Sequence, residues 1–200
     1  SKGNAITFQV SALGEDKWKS RGVGINKIAK VDSDDKLLEI FTEKELTGKK
    51  LLIVTSMGMA KYLDMSEFTF DKKSLTTAMT FKDEDDFVVS VSAVAPPEFD
   101  DGTREARGFV LSISAEGMVL NSYDDVPTQG KKASGVKLMK LDEKDRIIFA
   151  QHNDGSGEVL SVSDSGYAKR VILGCIEPRM RMSKGVKLSD SKAGECIYAD

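Results

Sequence analysis

Basic side chains recur in four short loops of this chain, and their spacing gives them chemical interest. Lys17, Lys19 and Arg21 share one stretch, Lys72 and Lys73 a second, Lys131 and Lys132 a third, and Arg179, Arg181 and Lys184 a fourth. Lys and Arg supply donors and no acceptors, so a set of them held on one surface suits phosphate oxygens. Each phosphate neutralised releases counterions, which gives salt-dependent affinity without reading base sequence. Trp18 is the lone aromatic among these loops, which argues against binding single strands by base stacking. Any one such loop is ordinary solvated surface. The recurrence is what sets the group apart.

The elements that must position these loops also repeat. Residues 51–61 read LLIVTSMGMAK, 109–120 FVLSISAEGMVL and 158–170 EVLSVSDSGYAKR. In each, an extended segment meets Gly58, Gly117 or Gly166 and resumes as a second one. Gly at that place is the mark of a hairpin turn whose φ is positive, which a β-carbon resists. Alternation carries the strand assignment: Val110, Ser112 and Ser114 share one face, Phe109, Leu111 and Ile113 the other. Gly135-Val136-Lys137-Leu138 recurs as Gly185-Val186-Lys187-Leu188, 50 residues on. A basic loop falls between hairpin and next strand each time. A period of this size predicts an all-β, propeller-like array of about four antiparallel blades in one repeat domain over residues 1–200. The units fall near 5–48, 49–106, 107–156 and 157–200, and one alone could not bury its apolar face.

Within the units, further strands are expected at 5–10, 25–31, 37–41, 75–81 and 87–94, with single helical turns at most at 66–68 and 124–126. No segment shows a capped helical stripe. The stretch 95–107, APPEFDDGTREAR, reads as a surface linker. Acidic turns at 32–35, 83–86, 142–145 and Asp190 are expected on a different edge from the basic loops.

Composition bounds the rest. The chain has 200 residues, 40% of them apolar, enough for a sizeable core. Its net charge is −3, with residues 107–200 at +1 and residues 1–106 at −4, so a claim of nucleic-acid binding must rest on local clustering. Cys175 and Cys196 are too few for a disulfide framework or a zinc site and read as buried free thiols. His152, the only histidine, reads as a loop residue without a partner for a triad or a metal. The run 83–86 lacks the glycine and ligand spacing of a calcium loop. No apolar run approaches the ~20 residues a membrane-spanning helix needs. No cofactor, no metal and no catalytic residue is expected, and a soluble, intracellular protein is.

The order hairpin, Gln-led basic loop, GVKL, acidic turn, strand resembles the C-terminal domain of the A subunit of bacterial type IIA topoisomerases, the family of DNA gyrase and topoisomerase IV. The resemblance covers nearly the whole chain and is strongest over 107–200. It implies a β-pinwheel whose blades share strands and whose basic rim binds and bends duplex DNA non-specifically. Carried over, the DNA-binding residues are Lys19, Arg21, Lys72, Lys73, Gln129, Lys131, Lys132, Lys169, Arg170, Arg179, Arg181 and Lys184. The gyrase signature Gln-Arg-Arg-Gly-Gly-Lys-Gly has its nearest counterpart in Gln129-Gly130-Lys131-Lys132-Ala133-Ser134-Gly135. That stretch keeps Gln129, two basic residues and Gly135 but loses the Gly-Gly-Lys centre, which makes it similar to the topoisomerase IV branch. The family's cleavage tyrosine sits in another domain, and Tyr62, Tyr123, Tyr167 and Tyr198 have no adjacent arginine and histidine. The implied partners are double-stranded DNA, the remainder of the topoisomerase polypeptide and its ATPase partner subunit, with no membrane. The implied location is the bacterial cytoplasm, at the nucleoid, and the implied parent an ATP-dependent topoisomerase. The rival reading is a propeller-like protein-interaction module without DNA.

Overall fold

The computed structural model describes residues 1–98, 100–188 and 191–200. Asp190, expected in the fourth acidic turn, lies outside the described residues. Among the described residues thirteen strands follow in order: β1 Asn4–Thr7, β2 Lys50–Thr55, β3 Met59–Asp64, β4 Ser74–Thr77, β5 Val88–Val94, β6 Phe109–Ser114, β7 Met118–Tyr123, β8 Val136–Lys137, β9 Ile147–Asn153, β10 Glu158–Ser163, β11 Ala168–Ile172, β12 Val186–Lys187 and β13 Cys196–Ala199. Gly58, Gly117 and Gly166 take φ of 79°, 72° and 81°, as a tight turn between antiparallel strands demands. The pairs β2–β3, β6–β7 and β10–β11 are the three expected hairpins.

Each sheet is completed by a strand from further along the chain. The orders are β5-β2-β3-β8, β12-β7-β6-β9, β11-β10-β13 and β1-β4. The Gly-Val-Lys-Leu segments therefore skip their own hairpin and add to that of the preceding unit: β8 pairs with β3 and β12 with β7. One backbone bond repeats at every joint. Leu138 N donates to Gly58 O, Leu188 N to Gly117 O and Ala78 N to Gly3 O, each at 2.7 Å. A second joins the outer strand to the preceding turn: Ile147 N to Ser56 O at 2.8 Å, Cys196 N to Ala115 O at 2.7 Å, Val88 N to Ser1 O at 2.8 Å. Equivalent residues can be read straight from these bonds. Gly3, Gly58, Gly117 and Gly166 occupy one position, and Lys61, Leu120 and Lys169 another.

The cores lie between successive sheets, so an internal sheet is buried on both faces. Leu51 and Ile53 pack toward Ala78, Met79 and Leu46, while Leu52 and Val54 on the opposite face of β2 pack against Val110, Leu120, Leu138 and Ile147. Beyond that joint, Leu111, Ile113 and Val119 pack against Val159, Ile176, Leu188 and Ala199. The serine face of β6 is buried too, with Ser112 and Ser114 fully covered. The fourth sheet differs. Leu160, equivalent to the buried Leu52 and Leu111, is 40% exposed, because no described sheet covers its outer face.

Several expectations fail for one physical reason. The predicted strand at 25–31 is instead a one-turn helix, α1 (Ile25–Ile28), and 37–41 forms no strand. Both segments correspond to strands that elsewhere add to a hairpin, and among the described residues that hairpin is missing here. A strand without a ladder partner leaves its amides unpaired, so the backbone does not hold it. The segment 5–10 shortens to β1, and 75–81 to β4, each only as long as the other's pairing. The turn at 66–68 appears as a 3₁₀ turn at Met65–Glu67, whereas 124–126 forms none. A capped helical turn does exist at α2 (Glu43–Leu46). Thr42 Oγ1 accepts from Glu45 N while the Glu45 carboxylate accepts from Thr42 N, a capping box that T-E-K-E spells out.

Candidate nucleic-acid interface

The 129–135 loop is built onto the edge of the β2–β3 hairpin, in the preceding unit. Tyr62 N donates to Pro127 O at 3.0 Å and Gln129 N to Tyr62 O at 2.9 Å, laying Thr128 parallel to the end of β3. The chain then doubles back so that β8 runs antiparallel to β3. Gly135 makes the reversal possible: a β-carbon there would stand 2.6 Å from Ala60 O, and its φ is 78°. The 179–185 loop repeats the arrangement one sheet on, with Arg179 N donating to Asn121 O at 2.9 Å and Tyr123 N to Arg179 O at 3.0 Å. Equivalent loops thus hold equivalent places relative to their sheets.

The cations of these loops divide into two groups. Lys19, Arg21, Lys72, Lys73, Lys132 and Arg179 are exposed and form no ion pair among the described residues. Lys19 Nζ lies 5.0 Å from the centre of the Trp18 ring, itself 88% exposed. The remainder are tied down. Lys131 Nζ donates to Glu67 O and sits 3.7 Å from the Glu67 carboxylate. Arg181 binds Asp125 and donates to Lys137 O at 2.9 Å. Lys184 pairs with Asp142 at 2.8 Å and Arg170 with Glu158 at 3.2 Å, while Lys169 donates to Leu188 O at 2.7 Å. Gln129 turns inward, its side-chain carbonyl buried and without a hydrogen-bond partner. The Lys184–Asp142 pair also sets an acidic turn of one unit beside the basic loop of the next, against the expected separation of the two.

Beneath the 129–135 loop lies a residue that sequence reasoning passed over. Lys61, on β3, is fully buried, and its Nζ donates to Gly130 O, Lys131 O and Ala133 O at 2.8, 3.1 and 2.9 Å. Burial pulls this ammonium down to about 8, with the Glu67 carboxylate pulling the other way. The signal was present: a lysine in the middle of a strand whose neighbours are apolar needs carbonyl or carboxylate partners.

His152 is a strand residue of β9 rather than a loop residue. Its Nε2 lies 3.0 Å from Arg107 O and 3.5 Å from the Asp124 carboxylate. Tyr62 Oη donates to Asp124 Oδ2 at 2.5 Å. Burial raises the Asp124 carboxyl, and burial together with that carboxylate raises the Tyr62 phenol. The trio crosses the joint between two sheets and satisfies buried polar groups there. Both thiols are free, Cys196 buried as expected and Cys175 exposed against expectation. Among the described residues, no group of three His, Cys, Asp or Glu is placed to hold a metal, and no helix is long and apolar enough to cross a membrane.

Antiparallel sheets in series, the two four-stranded ones each completed by a strand from the next unit, define a strand-sharing β-propeller, or β-pinwheel. Residues 1–42, 108–152 and 157–195 match the family described as DNA gyrase C-terminal domain, beta-propeller, and the chain belongs to that family. It is 24% identical over 193 residues to the A subunit of DNA topoisomerase 4 from Staphylococcus epidermidis, covering 94% of this chain and 22% of that protein. It is 25% identical over 191 residues to the A subunit of DNA gyrase from Lawsonia intracellularis, covering 93% and 22%. The chain therefore spans about a fifth of the length of the curated relatives it matches. In fold it is similar to the crystal structure of the C-terminal domain of DNA topoisomerase IV, with a TM-score of 0.82 at 24% identity, over 100% of this chain and 60% of that one.

Proposed function

We propose that this domain binds duplex DNA without sequence preference and bends it, as the C-terminal accessory domain of the A subunit of a type IIA topoisomerase. The observation that carries the reading is the set of exposed cations, Lys132 and Arg179 among them on loops of equivalent placement, within a chain of the gyrase C-terminal family. Lys19, Arg21, Lys72, Lys73, Lys132 and Arg179 make the primary contacts. Lys131, Arg181, Lys184, Lys169 and Arg170 act through residual positive potential, since carboxylates or carbonyls already engage them, and Gln129 shapes its loop. A curved row of cations offsets the few kcal/mol that bending a ~20–30 base-pair site costs.

The degraded centre of the 129–135 box and the paired state of Lys131 and Arg181 favour topoisomerase IV-like handling of DNA over gyrase-like wrapping. The parent protein is an ATP-dependent topoisomerase in which this domain works with the remainder of its own polypeptide and with an ATPase partner subunit, in the bacterial cytoplasm at the nucleoid. Binding to a linear duplex at about 50 and 200 mM salt tests this. With about 4–6 phosphate contacts the affinity falls by roughly 10²–10³-fold between the two. Lys132→Glu with Arg179→Glu abolishes binding at the higher salt. No binding at 50 mM refutes the reading. A shift in linking number of a circle closed on the domain refutes the topoisomerase IV-like part of it.

A further inference from the structure

We propose that Lys61 is a positioning residue for the DNA-facing loop: from inside the joint between two sheets, its ammonium sets the backbone of residues 129–135. The functional half of this inference rests on the DNA-binding reading above.

The geometry is specific. An ammonium has three donors and no acceptor, and here three loop carbonyls receive them, those of Gly130, Lys131 and Ala133. The carbonyl that Lys61 leaves out, that of Lys132, accepts from Thr80 Oγ1 at 2.7 Å. Every carbonyl from Gly130 to Ala133 is thereby held from the protein side, while the Lys132 side chain stays exposed. No carboxylate lies within ion-pair distance of Lys61 Nζ among the described residues. Its hydrogen bonds go to carbonyls, with the Glu67 carboxylate acting from beyond ion-pair distance, and it adds positive potential under the loop. Lys131 and Glu67, the charged groups beside it, engage each other.

The internal repeat shows that the fold itself does not require this lysine. The equivalent residue one sheet on is Leu120, as deeply buried at 1% exposure. There the 179–185 loop is held by other means. Ser183 Oγ donates to Met180 O at 2.6 Å and Met182 N to Leu138 O at 2.8 Å, and Arg181 reaches the Lys137 carbonyl. Lys61 therefore belongs to the one loop that carries the Gln129–Gly135 box.

The test uses Lys61→Leu, which copies Leu120, and Lys61→Met, which keeps the length of the stem, each in the full 200-residue chain. Hydrogen exchange over 129–135 and binding to a 20-base-pair duplex across a salt series are measured beside the thermal midpoint. Both variants are expected to keep or raise the midpoint, to lose loop protection at least tenfold, and to bind DNA about 5–10-fold more weakly at 50 mM salt. The slope of log affinity against log salt becomes shallower by about 1, the signature of one lost phosphate contact, which general destabilisation would leave unchanged. Unchanged loop protection overturns the proposal, and so does lost protection with affinity and slope intact. If the unmutated chain binds no duplex, the positioning role falls with the DNA reading. The exchange experiment then separates that failure from a clamp that does not exist.

Discussion

Removing the Asp86 carboxylate should open the turn between β2 and β3, and the repeat supplies a matched rescue. Asp86 is buried and accepts four hydrogen bonds, from Thr55 Oγ1 at 2.8 Å, Ser56 Oγ at 2.9 Å, Met57 N at 2.9 Å and Phe87 N at 3.0 Å. Asp145 does the same work one sheet on, accepting from Glu116 N and Arg146 N. In the fourth sheet the aspartate sits on the opposite side of the joint. Gly194 replaces it, and Asp164, at the position of Ser56, accepts from Glu195 N at 3.1 Å. The two arrangements exclude each other, since a β-carbon on Gly194 would stand 1.9 Å from Asp164 Oδ1.

In Asp86→Gly the two hydroxyls have other neighbours, but the amides of Met57 and Phe87 lose a charged acceptor. Unsatisfied buried groups cost about 1–3 kcal/mol each, so the loss should be about 3 kcal/mol. For a chain of this size that lowers the thermal midpoint by roughly 6–12 °C. Adding Ser56→Asp recreates the fourth-sheet arrangement and should recover at least half. Thermal unfolding followed by circular dichroism, with hydrogen exchange at residues 55–59, reads both steps. A loss under about 1 kcal/mol, or a double variant no better than the single, would refute the reasoning.

Two other outcomes follow from burial. Lys61 has a depressed folded value of about 8 against about 10.4 unfolded, so between those values the unfolded chain binds more protons. Stability should therefore rise with pH from about 8 to 10.4, by at most about 3 kcal/mol, and denaturant titrations of Lys61→Leu should lack that increment. Leu111→Ala, in the packed joint, should cost about 2–5 kcal/mol, whereas Leu160→Ala at the equivalent but 40% exposed position should cost under about 1 kcal/mol. Equal losses in parallel urea melts would show that the outer face of the fourth sheet is covered in solution.

Local physics made much of this protein legible in its residues. A glycine between two extended apolar segments needs nothing distant to make a hairpin, and three of them, 59 and 49 residues apart, were enough to indicate an all-β repeat. The recurrence of Gly-Val-Lys-Leu after a basic loop was equally plain, as were the cations themselves. What strands 25–31 and 37–41 would do was not. Their pattern is that of strands, but a strand exists only beside a partner, and only the tertiary structure reveals that they have none among the described residues. The same holds for the two-faced burial of β6, because alternation cannot say that a second sheet covers the serines. Which of the cations find partners was not legible either. Lys131, Arg181 and Lys184 meet acceptors brought in from other elements, and Lys61 is drawn beneath a loop about 70 positions away in sequence. Sequence alone determined which groups this domain carries and at what period. The fold decided which of them face water, since burial and pairing are properties of neighbours that the chain brings together only when it closes.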